Sequence, residues 1–376
     1  MKILYLVHDL SDPSVHKRVV MLLDGGAEVV VAGFCREQGK RDNIAGCITI
    51  SLGQTHNGRF VQRLWSVIRE MLCLSRHKEM FIQPDVIIAR NLELLAIAVR
   101  GQSIAAKAIP LVYECLDIHR LLLGKGITGS AFRRMESALA KRAAALITSS
   151  PAFVREYFNT ISRVHLPIRI VENKVYDPDH ALHKSFSHRE LGAPWKIGWF
   201  GAIRCRKSLQ ILTDLVRQSN GKVEVIIRGR PALDQFDDFH KTVTETPGLQ
   251  FLGPYKNPDE LESIYRSVHF TWAIDMFEEG LNSSWLLPNR LYEGGVYASV
   301  PIAEASVETG RFIDRLGIGI TLCDPKTLSL LSFFKELTPE KYEKLEKAAM
   351  NIPRETWVYD RSDCQSLIAY LGSLKR

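Results

Sequence analysis

The chain has 376 residues, 46% of them hydrophobic, and a formal net charge of +7 at pH 7. This composition excludes a largely disordered chain, and the length leaves room for two domains. No apolar run approaches the roughly 18–20 residues of a membrane span, and the run at the N-terminus is too short for a signal peptide. Seven scattered cysteines without a Cys-x-x-Cys pair favour reduced thiols, a cytoplasmic location and no structural zinc.

Strand and helix patterns alternate through the first half of the chain. Asp12-Pro13 opens a helix with Val15, Val19 and Leu22 on one face. A series of this kind predicts a parallel sheet with helices on both faces. Predicted strands cover 2–7, 28–34, 47–52, 84–90, 110–115 and 144–149, and the later helices cover 60–78, 91–108 and 129–142.

A polar segment at 172–194 predicts a domain boundary, after which the series restarts. The predicted domains are 1–175 and 176–356, and the C-terminal helix within 357–376 is expected to pack back on the first. We expect two doubly wound domains that face each other across a cleft, at the carboxyl ends of their strands. Predicted strands of the second half cover 196–200, 223–228, 250–252, 269–274 and 300–303, and helices cover 208–219, 233–246, 259–267, the segment after Pro288, and 361–374.

The positive charge lies in the first half. Residues 1–185 contain 25 Lys and Arg against 17 Asp and Glu, whereas the remaining residues contain 24 against 25. This asymmetry indicates an anionic partner: nucleic acid, acidic lipid or a phosphorylated substrate. A basic surface that only faces solvent is the alternative.

Residues that directly follow strands are the candidate ligand contacts of such a fold. After the strand at 196–200 comes a turn at Gly201, where backbone can approach a ligand. Arg204 and Lys207 follow with a spacing that points both the same way on an incipient helix. Two cations there suit a diphosphate, with Arg206 as a weaker candidate. Arg228 follows the next strand.

The stretch Pro288 to Gly295 combines several features of a nucleotide site. Pro288 suits the first turn of a helix, and Asn289 and Arg290 lie near its N-terminus, where free N–H groups and the helix dipole favour phosphate. Glu293 follows one turn later, a position from which it could accept both hydroxyls of a ribose. An ordinary capped helix before a buried strand is the alternative.

The segment Tyr113 to His119 leaves a strand of the first domain with several ionisable side chains. A carboxylate here could deprotonate an acceptor hydroxyl, and Asp117 is the first choice. His119 and then Asp9 are the next candidates. Each of these residues could instead cap a helix.

Other ligand classes are disfavoured. The chain has no Gly-x-Gly-x-x-Gly after either first strand and no Walker loop, which argues against a dinucleotide enzyme or a P-loop protein. Asp177-Pro178-Asp179 matches an Asp-x-Asp pattern, but its place in the predicted linker favours a turn, and we expect no metal site. Aromatic and basic residues form no evident stacking platform, which disfavours nucleic acid.

An apolar and basic helix at 60–72 suits contact with an anionic membrane, as does the loop 121–126. A helix packed on the core with solvated arginines explains the first feature equally well. The apolar face of the helix consists of Leu64, Trp65, Ile68 and Leu72, and nearby cations are Arg59, Arg63, Arg69, Arg76 and Lys78.

These motifs resemble those of GT-B glycosyltransferases of the large family-4-like group, over nearly the full length. The turn from Gly201 to Lys207 resembles the family's glycine turn with its Arg/Lys pair for the donor diphosphate. The segment from Leu252 to Tyr255, followed by Leu261 and Tyr265, is similar to the one beside the donor base. Glu293 resembles the family's ribose-binding glutamate, and the segment ending at His119 resembles the strand end that carries the acceptor-side acid or histidine.

The chain departs from the family pattern at two places. The first acid of the family's Glu-x7-Glu is replaced by Trp285, with Glu278 and Glu279 out of register, and no Gly-Gly turn follows the first strand. The first glutamate usually contacts the sugar, so these departures put the orientation of the sugar and a retaining mechanism in doubt. Similarity to the inverting branch of bacterial exopolysaccharide assembly, with Asp117 as base, favours inversion.

The resemblance implies two Rossmann-like domains and a glycosyltransferase that needs no cofactor or metal. The enzyme would move a sugar from a UDP- or GDP-sugar to a saccharide or lipid-linked acceptor, at the inner face of a membrane. Its two domains would close about a hinge near 172–180 and so exclude water. A nucleotide-sugar epimerase and a non-catalytic nucleotide-sugar-binding protein are the alternatives. The expected donor contacts are Gly201, Arg204, Lys207, Arg228, Tyr255, Asn289, Arg290 and Glu293, the acceptor contacts are His8, Asp9, Arg90 and Asn91, and the catalytic residues are Asp117 and His119.

Overall fold

The computed structural model describes residues 1–35, 43–54, 60–105, 108–182, 189–324 and 326–374, with the backbone alone for 60–66. The chain divides into two compact units. It passes from one to the other within residues 172–180 and again at 358–359. Unit 1 comprises Met1–Glu172, Tyr176–Asp179 and Tyr359–Arg376, and unit 2 comprises Asn173–Val175 and His180–Val358.

Unit 1 is built on a predominantly parallel sheet. Within the described residues the strand order is β3-β4-β2-β1-β5-β6-β7-β8, and only β3 and β4 pair antiparallel. The strands β5 and β6 are buried along their whole length, as expected for parallel strands covered on both faces. The strands are β1 (Lys2–Val7), β2 (Glu28–Cys35), β3 (Asn43–Ile44), β4 (Cys47–Gln54), β5 (Val86–Arg90), β6 (Leu111–Cys115), β7 (Ala145–Thr148) and β8 (Ile168–Ile170).

The helices of unit 1 begin and end close to their sequence signals. The Asp12 side chain accepts the Ser14 N–H and so caps α1, whose first residue is Pro13. The predicted helix at 60–78 is wrong in extent, because the α-helix ends at Cys73 and a 3-10 segment with non-helical torsions at His77 continues to Phe81. The helices are α1 (Pro13–Asp24), α2 (Phe60–Cys73), α3 (Asn91–Ala105), α4 (Arg120–Leu123) and α5 (Ile127–Ala140), and a π-helix spans Phe153–Ser162.

Unit 2 follows a short strand, β9 (Val175–Tyr176), and contains a parallel sheet with the order β12-β11-β10-β13-β14-β15 in the described residues. This is the 3-2-1-4-5-6 order of a Rossmann fold, and its direction reverses between β10 and β13. In unit 1 the same reversal lies between β1 and β5. Open sheets of this type bind ligands outside the carboxyl ends of the strands at the reversal. The strands are β10 (Trp195–Ile203), β11 (Val223–Pro231), β12 (Leu249–Phe251), β13 (Phe270–Trp272), β14 (Val300–Glu304) and β15 (Ile320–Leu322).

The predicted helix at 233–246 is shorter in the structure. A 3-10 turn at Leu233–Gln235 precedes a helix that starts only at Phe239, where Asp238 caps it by accepting the Lys241 N–H. The helices of unit 2 are α6 (Arg206–Gln218), α7 (Phe239–Thr244), α8 (Leu261–Arg266), α9 (Asn289–Val296), α10 (Glu308–Leu316), α11 (Lys326–Glu336) and α12 (Pro339–Met350).

The C-terminal helix belongs to unit 1. It follows the short strand β16 (Val358–Tyr359), which pairs with β9, and is α13 (Arg361–Ser373). Asp360 and Asp363 form a capping box at its start. Its apolar face lies in the core of unit 1, through the buried side chains of Cys364, Leu367 and Leu371.

A buried histidine supports the start of β13. The His269 ring is 3% exposed, its Nδ1 accepts the Lys196 N–H at 2.9 Å, and its Nε2 therefore carries the proton and donates to the Glu190 carbonyl at 3.0 Å. Burial lowers the pKa of His269 to about 4, from an ordinary value of 6.5. The folded state therefore keeps this ring neutral over a range in which the unfolded chain protonates it.

We expect the free energy of unfolding to fall as the pH drops from 6.5 through 4, because only the unfolded state takes up the proton there. The loss should approach about 3 kcal/mol and stop growing below pH 4. Denaturant unfolding of the wild type and of His269→Gln at pH 7.5, 6, 5 and 4 measures it, and the variant should have a flatter profile. His240→Gln, which changes an exposed histidine, is the control and should follow the wild type. Parallel profiles for His269→Gln and wild type would contradict the assignment.

Candidate active site

Near the ends of β10 and β11, two glycine backbones lie side by side. The turn predicted at Gly201 is wrong, because this residue is still paired within the strand. Gly201 has a φ of +103°, and Gly229, its neighbour on β11, has a φ of +139°, both of which favour glycine. A Cβ at Gly229 would overlap the Gly201 carbonyl oxygen. Gly229 is not among the candidates predicted from the sequence. The only sign of it in the sequence is that a glycine stands near the end of the strand after the one that contains Gly201.

A single carboxylate holds two guanidinium groups beside the strand reversal of unit 2. Asp275, which follows β13, has its Oδ2 at 3.6 Å from Nη2 of Arg204 and at 3.6 Å from Nη2 of Arg290. Its Oδ1 accepts the Phe277 N–H at 2.9 Å and the Ser283 hydroxyl at 3.0 Å. Burial raises the pKa of Asp275 and the two guanidinium groups lower it, with a net result below the ordinary value. The carboxylate is therefore ionised and can keep both arginines in place.

The two arginines differ in exposure. Arg204 is 42% exposed and lies over the Phe277 ring, with its guanidinium carbon 4.6 Å from the ring centroid. Arg290 is buried, donates to the Ile274 carbonyl, and has an Nε without a hydrogen-bond partner among the residues that the structure describes. The guanidinium groups of Arg204 and Arg290 thus both lie beside Asp275, just beyond the end of β13.

Lys207 has a different partner from Arg204. It is exposed and pairs with Glu279, and this hydrogen bond raises the pKa of the lysine. Arg206, between them in sequence, turns toward Asp237 at 3.0 Å. The structure therefore separates Arg206 from Arg204, although the two lie at the same turn.

Glu293 lies in the middle of α9, and other side chains meet both of its carboxylate oxygens. The Tyr265 hydroxyl donates to Oε2 at 2.7 Å, and the Asn257 amide donates to Oε1 at 3.0 Å. Glu293 is 6% exposed and Tyr265 is fully buried, whereas Asn257 is exposed on the segment between β12 and α8. The family resemblance placed Tyr265 beside the donor base, but the sequence did not show that Tyr265 or Asn257 contacts Glu293.

Two glycines let α9 approach its neighbours. A Cβ at Gly294 would lie 2.6 Å from the Thr271 hydroxyl of β13, and one at Gly295 would overlap the Trp357 ring. Pro288 is the N-cap residue and Asn289 is exposed in the first turn. Gly294 therefore sets how closely α9 approaches β13, and Gly295 sets how closely it approaches Trp357.

Arg228 and Tyr255, two further predicted donor contacts, lie at the same edge of unit 2. The Arg228 Nη2 donates to the Pro254 carbonyl at 2.9 Å and to Glu260 Oε1 at 3.1 Å. A Cβ at Gly201 would be 3.9 Å from the Tyr255 hydroxyl. Burial raises the pKa of Tyr255, and so does the neighbouring Glu293 carboxylate. The structure thus brings Gly201, Tyr255 and Glu293 together.

In unit 1 a buried carboxylate organises the strand ends. Glu114 of β6 accepts from Arg18 Nε at 2.8 Å, Arg90 Nε at 2.7 Å and the Tyr5 hydroxyl at 2.6 Å. Burial raises the pKa of Glu114, but the two arginines outweigh it and lower the pKa to about 2. Arg90, predicted as an acceptor contact, is 2% exposed and also donates to the Ser14 hydroxyl. The sequence signal for Glu114 was a single acid inside an apolar strand.

The other predicted acceptor contacts lie at the strand reversal of unit 1. Asp9 is buried and its Oδ1 accepts the Ser11 N–H at 2.9 Å, which closes a turn after β1. His8 Nε2 is 3.4 Å from Asp12 Oδ2. Asn91 begins α3 directly after β5, with a φ of +69°.

The two catalytic candidates follow β6, which ends at Cys115. Asp117 is exposed in the loop after the strand. His119 is the N-cap of α4, and its Nδ1 accepts the Leu121 N–H at 3.3 Å. His119 therefore has the capping role that was the alternative for these residues.

Both aspartates of the Asp-x-Asp pattern take part in contacts within unit 1. Asp177 is buried, with its N–H donated to the Tyr359 carbonyl, and Asp179 pairs with Arg361 at 2.8 Å. Over the described ranges, no group of three or more His, Cys, Asp or Glu could hold a metal ion.

Part of the predicted membrane surface is exposed. On α2, Leu72 is 78% exposed and Ile68 is 39% exposed, next to the exposed Arg69. The predicted loop 121–126 is wrong in its first half, because Leu121–Leu123 belong to α4, where Leu122 is buried. Arg59 and the side chains of Arg63, Leu64 and Trp65 lie outside the described residues. No helix in the part of the chain that the structure covers has both the length and the apolar character of a membrane span.

Comparison with known proteins identifies the fold and the family of the chain. No family model matches the chain. Among solved structures, Alr3699/HepE of Anabaena in complex with UDP superposes with a TM-score of 0.70 at 16% identity, over 99% of this chain and 100% of that one. The lipopolysaccharide outer core galactosyltransferase WaaB, in its apo form, superposes with a TM-score of 0.65 at 13% identity, over the whole of both chains.

The two Rossmann-like units and these superpositions confirm the predicted GT-B fold. Over 378 residues the chain is 46% identical to the succinoglycan biosynthesis protein ExoL of Rhizobium meliloti (strain 1021), a match that covers all of this chain and 94% of ExoL. The chain therefore belongs to the ExoL family, and its fold is that of the GT-B glycosyltransferases.

Proposed function

We propose that this protein is a glycosyltransferase that moves a sugar from a UDP-sugar to a saccharide or lipid-linked acceptor, with unit 2 as the donor-binding unit. The observation that carries the proposal is Glu293, a nearly buried carboxylate one turn into α9, oriented by Tyr265 and Asn257. A carboxylate held in this way suits a ribose diol, because each hydroxyl would donate a charge-assisted hydrogen bond. The HepE structure contains UDP, which supports UDP as the nucleotide.

The donor diphosphate would lie at the end of β13. Arg204 and Arg290 converge there on Asp275, and Lys207 is exposed nearby at the start of α6. Among the described residues no side chain caps α9, so its first N–H groups are also suited to a phosphate. In the reaction these donors would stabilise the negative charge that builds on the departing UDP. Gly201, Asn289, Arg228 and Tyr255 complete the proposed donor contacts.

Asp117 is the proposed general base in unit 1. It is exposed in the loop after β6, and the neighbouring His119 accepts the Leu121 N–H as a helix cap. As the acceptor hydroxyl attacks the anomeric carbon, its proton would pass to the Asp117 carboxylate and UDP would leave. This role fits inversion, the course favoured by the sequence. His8, Asp9, Arg90 and Asn91 stay predictions as acceptor contacts, with Arg90 acting through its ion pair with Glu114.

We also propose that one surface of α2 contacts a membrane. The exposed Leu72 and Ile68 next to Arg69 on α2 suit a membrane with anionic lipid, since apolar side chains can insert while the cation remains at the headgroups. A lipid-linked acceptor would then be presented at this membrane.

A matched pair of nucleotides tests the ribose contact. Glu293→Ala should weaken UDP binding by roughly 10- to 150-fold, the equivalent of one charge-assisted hydrogen bond of about 1.5–3 kcal/mol. The variant should also lose the preference for UDP over 2′,3′-dideoxyuridine diphosphate. Isothermal titration calorimetry measures both affinities. Arg206→Ala, at the same edge but turned to Asp237, is the control and should keep the wild-type values; an intact preference in Glu293→Ala would remove the ribose role.

Replacing the proposed base should separate chemistry from donor binding. Asp117→Ala should keep the UDP affinity within about 2-fold and lower turnover by 10²- to 10⁴-fold, roughly the contribution of a general base. UDP release from a UDP-sugar, followed with a panel of saccharide and lipid-linked acceptors, measures it. Conversion of the donor without any acceptor would instead indicate an epimerase, and binding without UDP release under every condition a non-catalytic protein.

Vesicle binding tests the membrane surface. Leu72→Glu should reduce co-sedimentation with vesicles that contain phosphatidylglycerol, because it places a negative charge at the inserted position. Leu328→Glu changes another leucine, 62% exposed on α11 of unit 2, and should leave binding unchanged. Equal binding by the two variants would contradict membrane contact through α2.

A further inference from the structure

The two partners of Glu293 differ in how firmly they are held. Tyr265 is fully buried, edge-on to Phe200 with 5.0 Å between ring centroids and stacked on Tyr297. Its hydroxyl cannot leave Oε2 without disturbing the core of unit 2. Asn257 is exposed, and it reaches Oε1 through its side-chain amide.

The backbone that leads into Asn257 is tied down by hydrogen bonds. The Pro254 carbonyl accepts from Arg228 at 2.9 Å, and the Lys256 N–H donates to Glu260 Oε2 at 2.7 Å. Glu260 is itself held by Arg228 at 3.1 Å. The Asn257 side chain can therefore swing away from Glu293 by rotation about its own bonds, while the backbone stays in place.

An amide N–H and a ribose O–H are equivalent donors for a carboxylate oxygen. A buried carboxylate that lacks a donor is costly, which explains why Asn257 meets Oε1. We propose that the Asn257 amide is a placeholder for a ribose hydroxyl: the donor nucleotide displaces it from Oε1, while Tyr265 keeps Oε2 and so positions Glu293. This inference rests on the ribose role proposed for Glu293 and goes beyond it, by assigning opposite effects to its two partners.

The placeholder makes affinity depend on the hydroxyls of the sugar. A nucleotide with a ribose gains bonds to Glu293 and loses the Asn257 bond, so the net gain is smaller than the new bonds alone. A nucleotide without these hydroxyls leaves Asn257 in place. Asn257 therefore lowers the preference for ribose, and Tyr265 raises it.

The experiment measures the affinities of UDP and 2′,3′-dideoxyuridine diphosphate by calorimetry for the wild type, Asn257→Ala and Tyr265→Phe. Asn257→Ala should bind UDP about 2- to 10-fold more tightly, the equivalent of one net hydrogen bond, with no change for the dideoxy nucleotide. Tyr265→Phe should weaken UDP and leave the dideoxy nucleotide within about 2-fold. Lys256→Ala, a neighbouring change whose backbone bond to Glu260 remains, is the control and should keep the wild-type ratio. Circular dichroism checks that each variant is folded.

Weaker or unchanged UDP binding by a folded Asn257→Ala, or an equal change for both nucleotides, would overturn the placeholder. If the wild type does not distinguish the two nucleotides, the ribose role of Glu293 fails and the inference fails with it. If the wild type distinguishes them and Glu293→Ala does not, while Asn257→Ala behaves like the wild type, only the placeholder is wrong.

Discussion

A carboxylate can leave water only where donors meet its oxygens, and this constraint organises the strand ends of both units. Glu114 in unit 1, and Asp275 and Glu293 in unit 2, are each held by groups from other elements. Removing one partner of such a group costs more than the net value of the bond, because the remaining charge stays buried. The positions of the arginines and of Tyr265 thus depend on these acids as much as the acids depend on them.

The three carboxylates have different consequences. Glu114 lies within a closed set of donors, two arginines and a tyrosine, which makes it a support for the end of β6. Asp275 carries two guanidinium groups at 3.6 Å, a distance at which both remain able to turn toward a phosphate. Glu293 accepts from the buried Tyr265 and from the exposed Asn257, and an exposed donor is the one best suited to be exchanged for a ligand.

Backbone packing places these groups near one another. The strand order of unit 2 reverses between β10 and β13, so the residues after these strands meet at one edge. Close contacts at Gly229 and at Gly294 and Gly295 allow β11 and α9 to approach that edge without intervening side chains. A larger residue at any of these glycines would move the backbone that carries Gly201 or Glu293.

The sequence by itself determined the alternating α/β architecture, most strands and the cap of α1, because hydrophobic period, prolines and capping residues are local properties of the chain. The GT-B fold was implied by the resemblance of its motifs to that family. It also singled out Glu293, Arg204 and Arg290 as candidates, since they share short motifs. It did not reveal the extent of the helices after 60 and 233, where a change of backbone torsion leaves the apolar pattern intact. Tertiary structure alone decided that Arg90 pairs with Glu114, that Asp275 joins Arg204 and Arg290, and that Tyr265 and Asn257 hold Glu293. Each of these contacts joins side chains from different strands or helices, and the distance between them is set by how those elements pack.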